Sequence, residues 1–117
     1  MQIGDLVNFG FDVQEAMELC INDEDIYKEV LETAMEEGKE KVVLFEELFE
    51  KGDFERYTIE AHGLKNAAKQ IGATELSELA KASEFDGKAG KIDEIKARHP
   101  ELLAKYKEVI SCIEKLF

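Results

Sequence analysis

The hydrophobic positions of this chain recur in steps of three and four, which is the pattern of amphipathic helices. One such stripe consists of Phe54, Tyr57, Ala61, Leu64, Ala68 and Ile71, and another of Leu103, Tyr106, Ile110, Ile113 and Phe117. No segment alternates with the period of two that a half-buried strand requires. The pattern therefore predicts an all-α protein in which each helix buries one face.

Capping residues indicate where the first helices begin and end. Asp12 and Glu15 have the spacing of a capping box and predict a short helix over about residues 12–20. The polar run 22–25 places acidic side chains at the start of a second helix, where the helix dipole favours them. We expect Gly38 to end or bend this second helix.

Gly52 and Asp53 suit the end of one helix and the start of the next. They predict a tight turn between a third helix over about 39–51 and a fourth over 54–71. The two helices that this turn joins are therefore expected to be antiparallel neighbours.

The last part of the chain is predicted to hold two more helices. Thr74 is expected to cap the first, whose inward residues are taken to be Leu76, Leu79, Ala80 and Phe85. Residues 87–90 read as a loop and residues 91–98 as a short helical turn. His99 is interpreted as ending or capping that turn, with Pro100 in the first position of the final helix.

Together these elements predict an antiparallel up-and-down four-helix bundle with an additional short N-terminal helix. We expect one domain over residues 1–117, with the short helix at about 12–20 and the bundle at about 23–117. Both cysteines, Cys20 and Cys112, are expected to be reduced thiols, although a disulfide between them stays open.

The charge of the chain limits its partners. A net charge of −12 argues against binding to nucleic acid or to an anionic membrane surface, both of which attract basic proteins. The sequence shows neither a signal-peptide pattern nor an apolar run near the roughly 18 residues of a membrane span. We therefore expect a cytoplasmic protein.

His62 is the strongest candidate for chemistry. It follows Ala61 and therefore lies about 100° away from the buried stripe of its helix. Lys65, Asn66 and Lys69 follow at i+3, i+4 and i+7 and share its face. An exposed neutral imidazole is a nucleophile near neutral pH, and neighbouring ammonium groups would offset the charge of a phosphoryl group.

Some apolar residues are predicted to lie outside the core. Ile59 precedes His62 by three residues, and Val43 lies away from the inner face of its helix. Apolar side chains in such positions are candidate contacts for a partner. We expect a weak, transient docking surface around His62 that includes Ile59, Gly63 and Val43.

The run AHGLKNAAKQIGATELSELAK, followed by Glu84, resembles histidine-containing phosphotransfer (Hpt) domains of two-component phosphorelays. The resemblance implies that His62 is the phosphoacceptor, which exchanges a phosphoryl group with the aspartate of a receiver domain. It implies that Lys65 helps to neutralise that group and that Glu84 orients the imidazole. Asn66 departs from the family pattern, which has a glycine or another small residue at this position.

The resemblance also implies a relay intermediate and not an autonomous enzyme. The expected partners are receiver domains of response regulators and hybrid sensor kinases, and Mg²⁺ is expected in the receiver. No cofactor or metal is expected in this chain, which we expect to be monomeric.

Two other functions stay open at this stage. The chain could be an Hpt-shaped module that docks receiver or kinase domains without phosphotransfer. A di-iron bundle would use Glu-x-x-His pairs, but Ile59 and Lys96 stand three residues before the two histidines.

Overall fold

The structure is a computed structural model that describes all 117 residues. A 3-10 helix over Ile3–Phe9 precedes five α-helices: α1 (Val13–Leu19), α2 (Glu24–Lys51), α3 (Phe54–Gln70), α4 (Thr74–Lys88) and α5 (Ile92–Glu114). Helices α2 to α5 form an antiparallel four-helix bundle, and α1 packs against one end of α2 and α3. This confirms the predicted all-α bundle with its short N-terminal helix. None of the helices combines the length and the hydropathy that crossing a membrane requires.

The predicted stripes of α3 and α5 form much of the core. The core residues of these two helices include Tyr57, Ala61, Leu64, Ala68, Leu103, Tyr106, Ile110 and Ile113. Burial of each larger aliphatic or aromatic side chain in this set stabilises the folded state by about 1.5–3 kcal/mol. Cys20 and Cys112 are both buried free thiols.

Local capping signals are largely confirmed. The side chains of Asp12 and Asp53 accept hydrogen bonds from the backbone N–H groups of Glu15 and Arg56, at 3.0 Å and 3.2 Å. The assignment of Thr74 as a cap is wrong by one residue, because Ala73 is the capping residue and Thr74 is the first residue of α4.

The predicted break at Gly38 is wrong, because α2 continues through this residue without interruption. Gly38 is buried, and a Cβ atom there would lie only 2.9 Å from Ile110 Cδ1 and 3.1 Å from Tyr106 Cε1. Glycine lowers the helix propensity by about 1 kcal/mol relative to alanine. Its role here is to let α5 approach α2 closely, and the packing that results keeps the helix intact.

The break predicted at Pro100 is also wrong, since α5 runs from Ile92 through this proline to Glu114. Proline removes one backbone hydrogen bond inside a helix. Buried residues on both sides, His99 before it and Leu102 after it, hold both halves of α5 against the bundle. His99 is therefore a buried helix residue and neither ends nor caps a helix.

The predicted loop at 87–90 is shorter than expected, and Phe85 does not point inward. Helix α4 extends to Lys88, so Gly87 is a helical residue that packs against Thr58 of α3. The buried side of α4 passes through Leu76, Ala80 and Ser83 instead. Phe85 lies off that side, and its side chain is 68% exposed.

The close contact at Gly38 makes a direct prediction. Gly38→Val should destabilise the protein by about 1–3 kcal/mol, because the added methyl groups collide with Ile110 and Tyr106. The matched control is Gly63→Ala, where a Cβ atom has no neighbour within 4 Å and the gain in helix propensity should stabilise the protein slightly. Urea unfolding measures both changes. A Gly38→Val protein as stable as the parent would contradict close packing at this position.

Candidate functional site

His62 lies on the outer side of α3, near the middle of the helix, with its side chain 55% exposed. Its ring nitrogen Nδ1 is 2.5 Å from Glu84 Oε2 on the neighbouring helix α4. Its other nitrogen, Nε2, is 3.5 Å from Asn66 Nδ2, at the limit of a hydrogen bond. One ring nitrogen is thus held by the bundle and the other is directed towards the surface.

Glu84 is a buried carboxylate whose side chain is only 6% exposed. Lys65 Nζ lies 2.7 Å from its Oε1 atom, and Lys88 Nζ lies 3.1 Å from its Oε2 atom. The hydrogen bond from Lys65, together with those from Lys88 and His62, lowers the pKa of Glu84 to about 2 although burial acts in the opposite direction. Glu84 is therefore ionised and accepts hydrogen bonds.

An ionised Glu84 selects one tautomer of His62. A carboxylate can only accept, so Nδ1 of the ring carries the proton and donates it. The lone pair then lies on Nε2, which is the nitrogen beside the Asn66 amide. Both contacts of the ring are consistent with a nucleophilic Nε2 that faces the surface.

Close packing between α3 and α4 sets the distance between His62 and Glu84. Gly87 lies so near Thr58 that a Cβ atom would be 2.9 Å from Thr58 Cβ and would collide with its hydroxyl. Further along, Ser77 Oγ donates a hydrogen bond of 2.8 Å to the backbone carbonyl of Lys65. These two contacts lie on either side of the His62–Glu84 pair and hold the helices in register.

The structure brings four of the predicted site residues together: His62, Lys65, Asn66 and Glu84. Lys65 is bonded to Glu84 and is not a free cation on the surface, since its side chain is only 26% exposed. Lys69 is exposed but lies two turns along α3, about 10 Å from His62 along the axis. It has no place in the hydrogen-bonded group.

The three predicted docking residues are all exposed but do not share one face. Ile59 lies one turn before His62, and Gly63 follows His62 directly on α3. Val43 is on α2, where the residues at i−4 and i+3, Lys39 and Glu46, pair with residues of α5. Val43 is therefore on the side of α2 that is turned away from α3 and His62.

Lys88 is a site residue that sequence analysis missed. The glycines at positions 87 and 90 indicated a loop, so the residue was not placed on a helix. Its spacing of i+4 from Glu84 was the available signal, because residues four apart on a helix face each other. With neutral His62, the group holds one carboxylate and two ammonium groups, and hence one net positive charge.

His99, the other histidine, is buried and does not belong to this group. Its ring stacks on Phe49 with 3.9 Å between the ring centres, and its Nδ1 atom is 2.8 Å from Tyr57 Oη. Burial raises the pKa of Tyr57 and lowers the pKa of His99, so the phenol donates to a neutral imidazole. His99 is a buried structural residue with its hydrogen bond satisfied.

Comparison with known proteins bears on the family and the fold of this chain. The family model described as the Hpt domain matches residues 29–111, which is most of the chain. The structure is also similar to histidine-containing phosphotransfer protein B from Pseudomonas aeruginosa PAO1, with a TM-score of 0.80 and 20% sequence identity. That similarity covers 91% of this chain and 92% of the other. A search among curated proteins found no match. The chain belongs to the Hpt domain family, whose members take part in histidine phosphotransfer in phosphorelays.

Proposed function

We propose that this protein accepts a phosphoryl group on His62 from the aspartate of one receiver domain and passes it to another. The observation that carries the proposal is the exposed imidazole of His62, whose Nδ1 atom is bonded to the buried, ionised Glu84. That bond leaves the lone pair of Nε2 at the surface, where the reactive aspartate of a second protein can reach it.

The transfer needs little from this chain beyond a positioned nucleophile. Nε2 attacks phosphorus, the bond between phosphorus and the aspartyl oxygen breaks, and the aspartate leaves as a carboxylate. The attack places positive charge on the ring, and the Nδ1 proton remains shared with Glu84. Glu84 thus stabilises the phosphorylated ring and holds its orientation.

The lysines of the site can compensate the negative charge of an incoming phosphoryl group. A phosphoryl group adds about −1.5 to −2 charges at neutral pH. Lys88 is 69% exposed and is held only at Glu84, so it is free to turn towards the phosphoryl oxygens, whereas Lys65 is more enclosed. Asn66, with its amide nitrogen beside Nε2, offers a further donor to these oxygens.

In this proposal the catalytic groups come from two proteins, this chain and the receiver domain. The chain supplies the nucleophile, its orientation and part of the charge compensation, and the receiver is expected to supply Mg²⁺ and the remaining catalytic groups. We therefore describe the protein as a phosphorylated relay intermediate and not as an enzyme that works alone. Its partners in this proposal are receiver domains of response regulators and hybrid kinases.

Phosphotransfer from a receiver is the direct test. The parent protein and His62→Gln are incubated with phosphorylated receiver domains and Mg²⁺, and the chain is examined for acid-labile, base-stable phosphate. We expect label on the parent and none on the variant, which retains His99 as its only histidine. Label on both proteins would move the phosphoacceptor away from His62. No label on either protein, with several receivers tried, would favour a docking module without transfer.

The ionised state of Glu84 gives a pH-dependent prediction. Its pKa falls from an ordinary 4.5 to about 2 on folding, so its ionisation stabilises the folded protein above pH 4.5. This contribution is lost as the pH falls from 4.5 through about 2. The stability difference between the parent and Glu84→Gln should therefore be larger at pH 7 than at pH 3.

Urea unfolding of both proteins at pH 7 and pH 3 measures this difference. The control is Glu78→Gln, which removes an exposed carboxylate on the same helix. An equal difference between the parent and Glu84→Gln at the two pH values would show that Glu84 is not held ionised by its partners.

A further inference from the structure

Two large apolar side chains are exposed on the helices that form the site. Ile59 of α3 is 63% exposed, and Phe85 of α4 is 68% exposed. Ile59 lies one turn before His62, and Phe85 directly follows Glu84. Neither side chain belongs to the core, and exposed apolar residues that are grouped around a site are candidate contacts for a partner.

The contacts between α3 and α4 place both residues at one level of the bundle. His62 is opposite Glu84, and Thr58 is opposite Gly87, so the two helices run past each other in a fixed antiparallel register. Ile59 follows Thr58 directly, and Phe85 is two residues before Gly87. The two apolar side chains therefore lie level with each other, close to the level of His62.

Their directions around the two helices are also fixed. Viewed down the axis of α3, the side chain of Ile59 points in a direction between those of His62 and Glu60. Glu60 is turned towards Lys41 of α2. Ile59 thus points outward on the side of His62 that is remote from α4. Residues 58 and 65 occupy the opposite side and face α4.

Phe85 is fixed in the same way on α4. Glu84 faces α3, and Asp86 pairs with Arg98 of α5, with 2.9 Å between their charged atoms. Phe85 lies between these two residues in sequence and is exposed, so it points out of the bundle between the α3 side and the α5 side. The polar group of His62, Glu84 and Lys88 therefore lies between two exposed apolar side chains.

Two lysines adjoin Phe85, although the whole chain has a net charge of −12. Lys81 lies four residues before Phe85 and Lys88 three residues after it, so both adjoin it on the same side of α4. Both lysines are exposed. A partner that covers this surface would bring acidic groups to the lysines and apolar groups to Phe85.

We propose that a receiver domain docks across α3 and α4, burying Ile59 and Phe85 on either side of His62. This inference rests on the proposed function and names the surface that the partner uses. The receiver is the occupant that the charges favour, because it presents a phosphorylated aspartate, an anionic group, to Nε2. In this arrangement the receiver covers Lys81 and Lys88, which pair with acidic groups of the receiver.

The usual size of a transient protein interface indicates that a docked receiver would contact both α3 and α4. A transient complex buries roughly 500 Å² on each partner, which corresponds to a patch about 12 Å in radius. Packed helices lie about 8–10 Å apart. A patch of this size centred on His62 therefore reaches Ile59 on α3 and Phe85 on α4. Val43, on the far side of α2, lies outside it and serves as a matched control.

The test compares three charge substitutions of exposed apolar residues: Phe85→Glu, Ile59→Glu and Val43→Glu. The second-order rate of transfer from a phosphorylated receiver domain is measured for each variant with Mg²⁺ present. Labelling by phosphoramidate, a small phosphoryl donor that needs no docking surface, is measured in parallel. Circular dichroism checks that each variant is folded, which is expected because all three side chains are exposed.

We expect Phe85→Glu and Ile59→Glu each to slow transfer from the receiver about tenfold or more. Their labelling by phosphoramidate should stay within about twofold of the parent, and Val43→Glu should match the parent with both donors. Parent-like transfer by Phe85→Glu would overturn the proposal, and so would an equal loss in Phe85→Glu and Val43→Glu. If neither donor labels the parent, the proposed function fails, and the docking proposal fails with it.

Discussion

The carboxylate of Glu84 is the group on which the site depends. It is buried between two helices, where an unpaired charge would cost several kcal/mol. Lys65 from α3 and Lys88 from α4 supply the opposite charges, and His62 supplies a hydrogen bond. The same contacts that make the buried charge tolerable also hold the imidazole in one orientation. In this protein one set of contacts both stabilises the packing of α3 against α4 and fixes the geometry of the candidate phosphoacceptor.

That interaction requires two helices at a short and constant distance, which small residues provide. Gly87 lets α4 approach Thr58 of α3 near the site, and Gly38 lets α2 approach α5 on the other side of the bundle. The outer surfaces of α3 and α4 are left without a neighbour, and His62 lies there with Phe85 close by. The helices are thus closely packed on the inner side of the site, and the outer side is open to solvent. This arrangement suits phosphoryl exchange with a transient partner.

Sequence alone predicted the parts of this structure that depend on local spacing. The apolar stripes, the aspartate caps and the nearness of Lys65 and Asn66 to His62 each depend on neighbours within one or two helical turns. Gly38 and Pro100 were misread because tertiary packing overrides a local preference to break a helix. Lys88 was missed because the glycines at 87 and 90 were read as a loop, which hid its place one helical turn after Glu84. Phe85 was wrongly expected to point inward, although it lies off the buried side of α4. The link between His62 and Glu84 came from the family resemblance, and its geometry came from the structure.

The central claim is that Glu84 fixes the tautomer of His62 and leaves Nε2 as the surface nucleophile. Long-range nitrogen–proton NMR correlation of the ¹⁵N-labelled protein at pH 8 distinguishes the two neutral tautomers of a histidine ring. The account predicts that His62 carries its proton on Nδ1 and that Glu84→Gln weakens this preference. A ring that is protonated mainly on Nε2 would contradict it, because its lone pair would then face Glu84 and not the partner.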